Sequence, residues 1–145
     1  MNGVRAAPLL GTLSCVLVVA LLLAPYALLP SELQEGLSAY YASSALGDVF
    51  VGFVSTLALV TAVALIGGYR EQSAPDLVAG LSLAVGIGLV LVVLQWAFVA
   101  DPTLVGAVAA EREIPGWFEL HRWGVVGASV LLPVASGWYA ASVLK

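Results

Sequence analysis

Four long apolar runs, at about 6–29, 45–68, 77–99 and 122–144, divide the chain, and nearly all of its charges fall between or beside them. A helix needs roughly 20 apolar residues to cross a hydrocarbon core. The pattern therefore predicts an all-α, up-down bundle of four transmembrane helices. The first run follows Arg5 as a signal peptide would. It is longer than a signal core, however, no Ala-x-Ala site closes it, and Pro25 and Pro30 stand where cleavage would fall. It is read as an uncleaved helix. Leu13-Ser14-Cys15 has a trace of a lipoprotein site, but the largely apolar residues beyond Cys15 fit a buried small hydrophobe better.

The connections carry their own signals. Pro30 and Ser31 end the first run, and Ser31 with Gln34 has the spacing of a capping box. Leu33, Leu37, Tyr40 and Tyr41 then fall on one helical face, which predicts a short helix lying on the membrane surface. Asp48 opens the second run, where a carboxylate complements a helix N-terminus. Arg70 to Asp76, with Pro75 as a breaker, is a tight hairpin, expected to fix the packing of the helices it joins. Asp101-Pro102 reads as an N-cap followed by proline at the first helical position. A second surface helix is thus expected from Pro102 to about Arg112, ended by Ile114-Pro115-Gly116.

Inside the runs, small residues mark packing faces. Gly80, Ala84 and Gly88 lie four apart on one ridge, and Ser129, Pro133, Gly137 and Ala141 form a second. Small residues let helices approach closely where lipid supplies no hydrophobic drive for association. Such ridges serve either a partner or the inside of the monomer. Pro133 is expected to kink the last helix, because it removes a backbone donor and crowds the preceding turn. Gln95 is expected to make an interhelical or interfacial hydrogen bond, since an unpaired amide in hydrocarbon is costly.

Composition agrees. Of 145 residues, 61% are hydrophobic and only 10% charged, so lipid is the expected solvent and residues 1–145 form one membrane domain. The net charge of −4, with Lys145 the sole lysine, excludes a nucleic-acid partner. One cysteine rules out an internal disulfide. Arg5, Arg70 and Lys145 lie on the side of the termini, against Arg112 and Arg122 opposite. The positive-inside rule then places both termini in the cytoplasm, by a margin of one residue. The opposite face is acidic, with Glu32, Glu35, Asp48, Asp101, Glu111, Glu113 and Glu119. Two aromatic belts are expected, Tyr26, Trp96, Trp117 and Trp123 on one side and Tyr69, Trp138 and Tyr139 on the other.

Candidate chemistry concentrates in Glu111-Arg-Glu-Ile-Pro-Gly-Trp-Phe-Glu-Leu-His-Arg-Trp123, which holds the single histidine. A metal site from His121, Glu119, Glu111 and Glu113 is poor, because i and i+2 on a helix face different ways and one histidine is few for zinc. His121 as a haem ligand beside Trp117 would need an axial partner from another chain. His121, Arg122 and Trp123 are a less demanding site for a quinone or an anionic lipid head group. The plainest reading makes the segment an anchor, with Glu119 paired to Arg122, Arg122 stacked on Phe118, and Trp117, Phe118 and Trp123 at head-group depth. No nucleophile elbow, phosphate loop, CxxC pair or paired intramembrane carboxylate is present, so no catalytic residue and no cofactor are predicted. The absence of mid-run charges offers a transporter or channel no marked path.

The acidic outer face, near absence of lysine and abundance of Ala, Val, Gly and Leu resemble small membrane proteins of salt-loving archaea. The layout, with Trp-Phe-Glu-Leu-His-Arg-Trp opening the last run, is similar to haloarchaeal four-helix families of unknown function. That resemblance implies a source and a membrane location, and carries over no functional residue. The expected role is an accessory or scaffolding subunit of a membrane complex, packing through one or both ridges onto a membrane partner or a second copy. The alternatives are a haem- or quinone-binding redox component built on His121, Arg122, Trp117 and Trp123, and a small transporter or pore.

Overall fold

The computed structural model describes residues 2–107 and 113–145. Four long helices dominate it: α1 (Gly3–Leu28), α4 (Phe50–Tyr69), α5 (Pro75–Val99) and α7 (Gly116–Val143). Three short ones, α2 (Ser31–Gln34), α3 (Leu37–Ala42) and α6 (Thr103–Gly106), lie in the two longer connections. A 3₁₀ turn at Gly47–Val49 leads into α4. Together with that turn, the long helices are each long and apolar enough to cross a membrane. No strand occurs among the described residues. The last long helix starts at Gly116 rather than near 122, so His121 and Arg122 lie within its second turn.

Sequence neighbours run antiparallel, and the packing follows from where polar and small residues fall. α1 packs on α4 and α7, and α7 packs on α5. In the α1–α7 seam, Ser14 Oγ donates to Ala128 O at 2.6 Å, deep in the bundle. In the α5–α7 seam Gly86 makes the close approach: a Cβ there would stand 3.0 Å from Pro133 N and 3.2 Å from Leu132 Cγ. Pro133 thus sits in a helix–helix contact, on α7 residues that continue as one helix to Val143. The α4–α5 pair is the loosest side of the bundle despite its short hairpin, contrary to the expectation that the hairpin would fix their packing. A groove of about 210 Å³ opens between them, lined by Leu57, Val60, Ala64, Leu81 and Val85 with Thr61 and Ser82.

That hairpin is closed by a C-cap built on an unusual residue. Gln72 N donates to Gly67 O at 2.9 Å and Glu71 N to Gly68 O at 3.2 Å, the paired bonds of a Schellman motif. The motif needs a left-handed residue, and Glu71 takes that place at φ 58°. Pro75 then opens α5 at its first turn, where a missing N–H costs nothing.

At the opposite end, the apolar face of the first connection folds inward. Leu33, Leu37, Tyr40 and Tyr41 are all buried, so α2 and α3 plug the bundle instead of lying on a surrounding surface. The capping box is absent: Gln34 Nε2 donates to Leu29 O at 2.9 Å, tying back the end of α1, and Ser31 Oγ donates to the neighbouring Glu32 carboxylate. Gly36 permits the contact with α6, since a Cβ there would lie 2.6 Å from the Val105 backbone. Asp101 caps α6 as expected, accepting from Thr103 N at 2.9 Å and Thr103 Oγ1 at 2.7 Å. Those bonds hold its carboxyl below the ordinary carboxylate range. The expected continuation of this helix to Arg112 falls on 108–112, outside the described residues. Gln95 Oε1 accepts from Ala45 N at 2.9 Å, bonding α5 to the connection rather than to another helix.

Candidate functional site

The plugged end holds the chemistry of the molecule, and proline creates it. Within a helix the carbonyl of residue i bonds the N–H of i+4, and proline has none to offer. Pro25 lies inside α1, so Leu21 O is left without its helical partner. His121 Nε2 fills the vacancy at 2.6 Å. A carbonyl only accepts, so the ring proton is on Nε2 and Nδ1 carries the lone pair. Tyr40 Oη stands 3.4 Å from Nδ1 and donates to it. One turn of loosened α1 thus serves two side chains, because the neighbouring Leu22 O accepts from Tyr41 Oη at 2.6 Å.

Aromatic rings enclose the histidine. Phe118, one turn earlier on α7, stacks on it at 5.6 Å with the planes 6° apart. Tyr40 packs on Phe118 at 4.8 Å and edge-on to Trp96 at 5.3 Å. Trp96 Nε1 donates to Tyr40 O at 3.2 Å, and Phe50 closes the group against the Trp96 ring at 5.0 Å. Phe50, Trp96, Phe118 and Tyr40 are each fully buried, and His121 is 6% exposed. Burial pushes the Tyr40 phenol well above its ordinary range, with the Arg122 charge opposing weakly, and raises Tyr41 for the same reason.

The predicted constellation of His121, Arg122, Trp117 and Trp123 does not converge. His121 turns into the bundle, whereas Trp117 and Trp123 are both 41% exposed. Trp117 meets Phe118 edge-on at 5.8 Å, and Trp123 meets Phe98 at 5.5 Å. Arg122 neither pairs with Glu119 nor stacks on Phe118. Its Nη1 donates to Ala100 O, which receives the guanidinium at the C-terminus of α5, where the helix dipole favours a cation. The guanidinium carbon stands 5.6 Å from the Trp123 ring centroid. No cluster of three or more metal-ligating side chains occurs among the described residues, and Glu111 lies outside them.

Two aromatic residues assigned to membrane belts are core residues instead. Trp96 and Tyr139 are fully buried, while Tyr26, Tyr69 and Trp138 are exposed. Trp96 matters more to the site, since it joins α3, α4 and α7. Its only sequence signal was position: it falls on the same face of α5 as Val93 and Leu89, a turn or two away.

The packing ridges divide. Gly80, Ala84 and Gly88 all face outward, and a Cβ at either glycine would meet nothing within 4 Å. On α7 the second ridge starts inside, with Ser129 buried, and ends outside at exposed Ala141. A Cβ at Gly137 would just touch Leu83 at 4.0 Å.

An all-helical bundle of four helices fit by length and composition to cross a membrane, closed at one end by an aromatic plug, is the class these features define. The chain belongs to a family of unknown function (DUF7548), whose model matches residues 1–144. Comparison with curated proteins and with solved structures found no match.

Proposed function

We propose that the chain is a multi-pass protein of the cell membrane, with both termini cytoplasmic, that serves as an accessory or scaffolding subunit by presenting one face of α5 to a membrane partner. The observation that carries this reading is the unused Gly80–Ala84–Gly88 ridge. In the same helix Gly86 packs against Pro133, so α5 has one close-packing glycine face turned inward and one left open. Close approach of small residues is what joins helices in lipid. The acidic, lysine-poor composition fits a salt-rich host. Native mass spectrometry of protein extracted gently from its host membrane tests the proposal. A stoichiometric partner chain that is lost in Gly80→Leu/Gly88→Leu, while the variant stays folded, supports it. A lone monomer in the unaltered protein overturns it.

The redox reading built on His121 fits the residues poorly. Both ring nitrogens are engaged and Phe118 covers one face, so a haem iron or quinone would have to displace Leu21 O or Tyr40 before meeting the histidine. A visible spectrum of the purified protein and the quinone content of His121→Ala against the parent protein test it. For a transporter or pore no buried charge marks a route among the described residues, and flux into liposomes is the test.

A further inference from the structure

His121 stands where three elements meet: it belongs to α7, donates to α1 and accepts from α3. We propose that this histidine is an acid-sensitive latch that holds the α2–α3 plug in the end of the bundle, and that protonation of the ring releases the plug. The inference does not depend on the accessory role above.

The argument rests on hydrogen-bond capacity. In the neutral ring each nitrogen has the partner it needs, a carbonyl for Nε2–H and a hydroxyl proton for Nδ1. An added proton turns Nδ1 into a donor. Tyr40 Oη then has to give up its donation and accept instead, so its own proton loses the Nδ1 lone pair, on a ring packed among Phe118, Trp96 and Tyr41. A buried polar group without a partner, beside a new buried charge, is a costly combination.

Among the described residues no neighbour offsets that charge. On the α1 side the facing group is the Leu21 carbonyl, and the nearest phenol, Tyr26, is exposed and stacked on Tyr41. α3 contributes the phenols Tyr40 and Tyr41, α4 the Phe50 ring and α5 the Trp96 ring. On α7 the adjacent Arg122 is itself cationic and occupied with Ala100 O. Asp48, Glu119 and Asp101 are exposed, and Asp101 is bound to Thr103. Among the described residues no carboxylate pairs with the ring. Swinging the plug aside lets water reach Nδ1 and the Tyr40 hydroxyl together. Of the hydrogen bonds between the plug and the long helices, the Tyr41–Leu22 and Trp96–Tyr40 bonds do not titrate in mild acid, whereas the bond to His121 does. The released segment would present Leu33, Leu37, Tyr40 and Tyr41.

The test uses the full chain in lipid nanodiscs. Because His121 is the single histidine, ¹⁵N-imidazole NMR reads its protonation without assignment. Spin labels at exposed Ser38 on α3 and Val99 on α5, in a Cys15→Ala background, read the position of the plug by pulsed electron resonance. Between about pH 7.5 and about pH 4.5, imidazolium signals and a second label distance, longer by at least roughly 5 Å, should appear with one shared midpoint. His121→Gln, whose amide can still donate to Leu21 O but does not titrate in this range, should keep a single distance throughout. The same acid transition in His121→Gln overturns the proposal. So does an imidazolium that forms with the distance unchanged, or a neutral ring and fixed distance down to the lowest pH. Should His121→Gln fail to fold, agreement or disagreement of the two midpoints in the parent protein decides alone.

Discussion

Leu21 O and His121 Nε2 meet at 2.6 Å although 100 residues of sequence separate them, and the carbonyl is free because Pro25 has no N–H to give it. Replacing His121 by Ala strands that carbonyl and the Tyr40 hydroxyl in a buried place and leaves a hole beside Phe118. The expected cost is about 2–4 kcal/mol, combining a lost buried hydrogen bond with a large-to-small truncation. Reversible unfolding in mixed micelles measures it. Pro25→Ala should weaken the same contact by restoring a competing N–H, visible as a shift of the His121 ring ¹⁵N resonances.

The two glycine faces of α5 should respond in opposite ways to one added methyl group. Gly86→Ala pushes a Cβ to within 3.0 Å of Pro133 N and should destabilise by about 1–3 kcal/mol, as overpacking does. Gly80→Ala and Gly88→Ala meet open space and should be neutral or stabilise the monomer by up to about 1 kcal/mol through helix propensity. Equal losses at Gly86 and Gly80 would mean that the outward ridge is packed within the monomer.

Glu71 occupies a left-handed position at the C-cap of α4 that glycine fills without steric cost. Glu71→Gly should therefore hold stability or raise it by about 0.5–1 kcal/mol, while Glu71→Val, branched at Cβ, should lower it. Midpoints of thermal unfolding in one detergent rank the three proteins.

Alkaline pH should loosen the plug. In the folded state burial keeps the Tyr40 and Tyr41 phenols protonated above the ordinary value of 10.0. The unfolded chain releases those protons first, so it binds fewer than the native state and stability falls as pH rises past about 10. Their contribution is fully present below that value. Ultraviolet titration at the tyrosinate band should show Tyr40 and Tyr41 among the phenols that ionise late, at the pH where tertiary circular dichroism is lost; a single transition for all tyrosines near the ordinary value contradicts the burial.

The four long helices were legible because length and apolar content alone decide them: runs of this kind can satisfy their backbone only internally. The inward turn of His121 was not legible. Helical spacing offers Glu119 and Phe118 as neighbours of Arg122, but spacing says only which side chains lie near one another along a helix, and not which of them the bundle turns inward. In the folded bundle Phe118 and His121 turn inward and stack, while Arg122 reaches to Ala100 O and Trp123 is exposed.

Local chemistry thus dictated the helices, the Asp101 cap, the proline-opened turn of α5 and the shared face of Leu33, Leu37, Tyr40 and Tyr41, since each depends on residues within a few positions of one another. What that face packs against was beyond its reach. Periodicity says that a stripe is apolar, and an apolar stripe is equally satisfied by lipid or by protein. Only the folded bundle brings Trp96, Phe50 and Phe118 under α3 and sets a freed carbonyl of α1 opposite the single histidine of α7. The same holds for glycine: the residue type marks a place where helices can come close, and the tertiary arrangement alone assigns Gly86 to the inside and Gly80 to the outside.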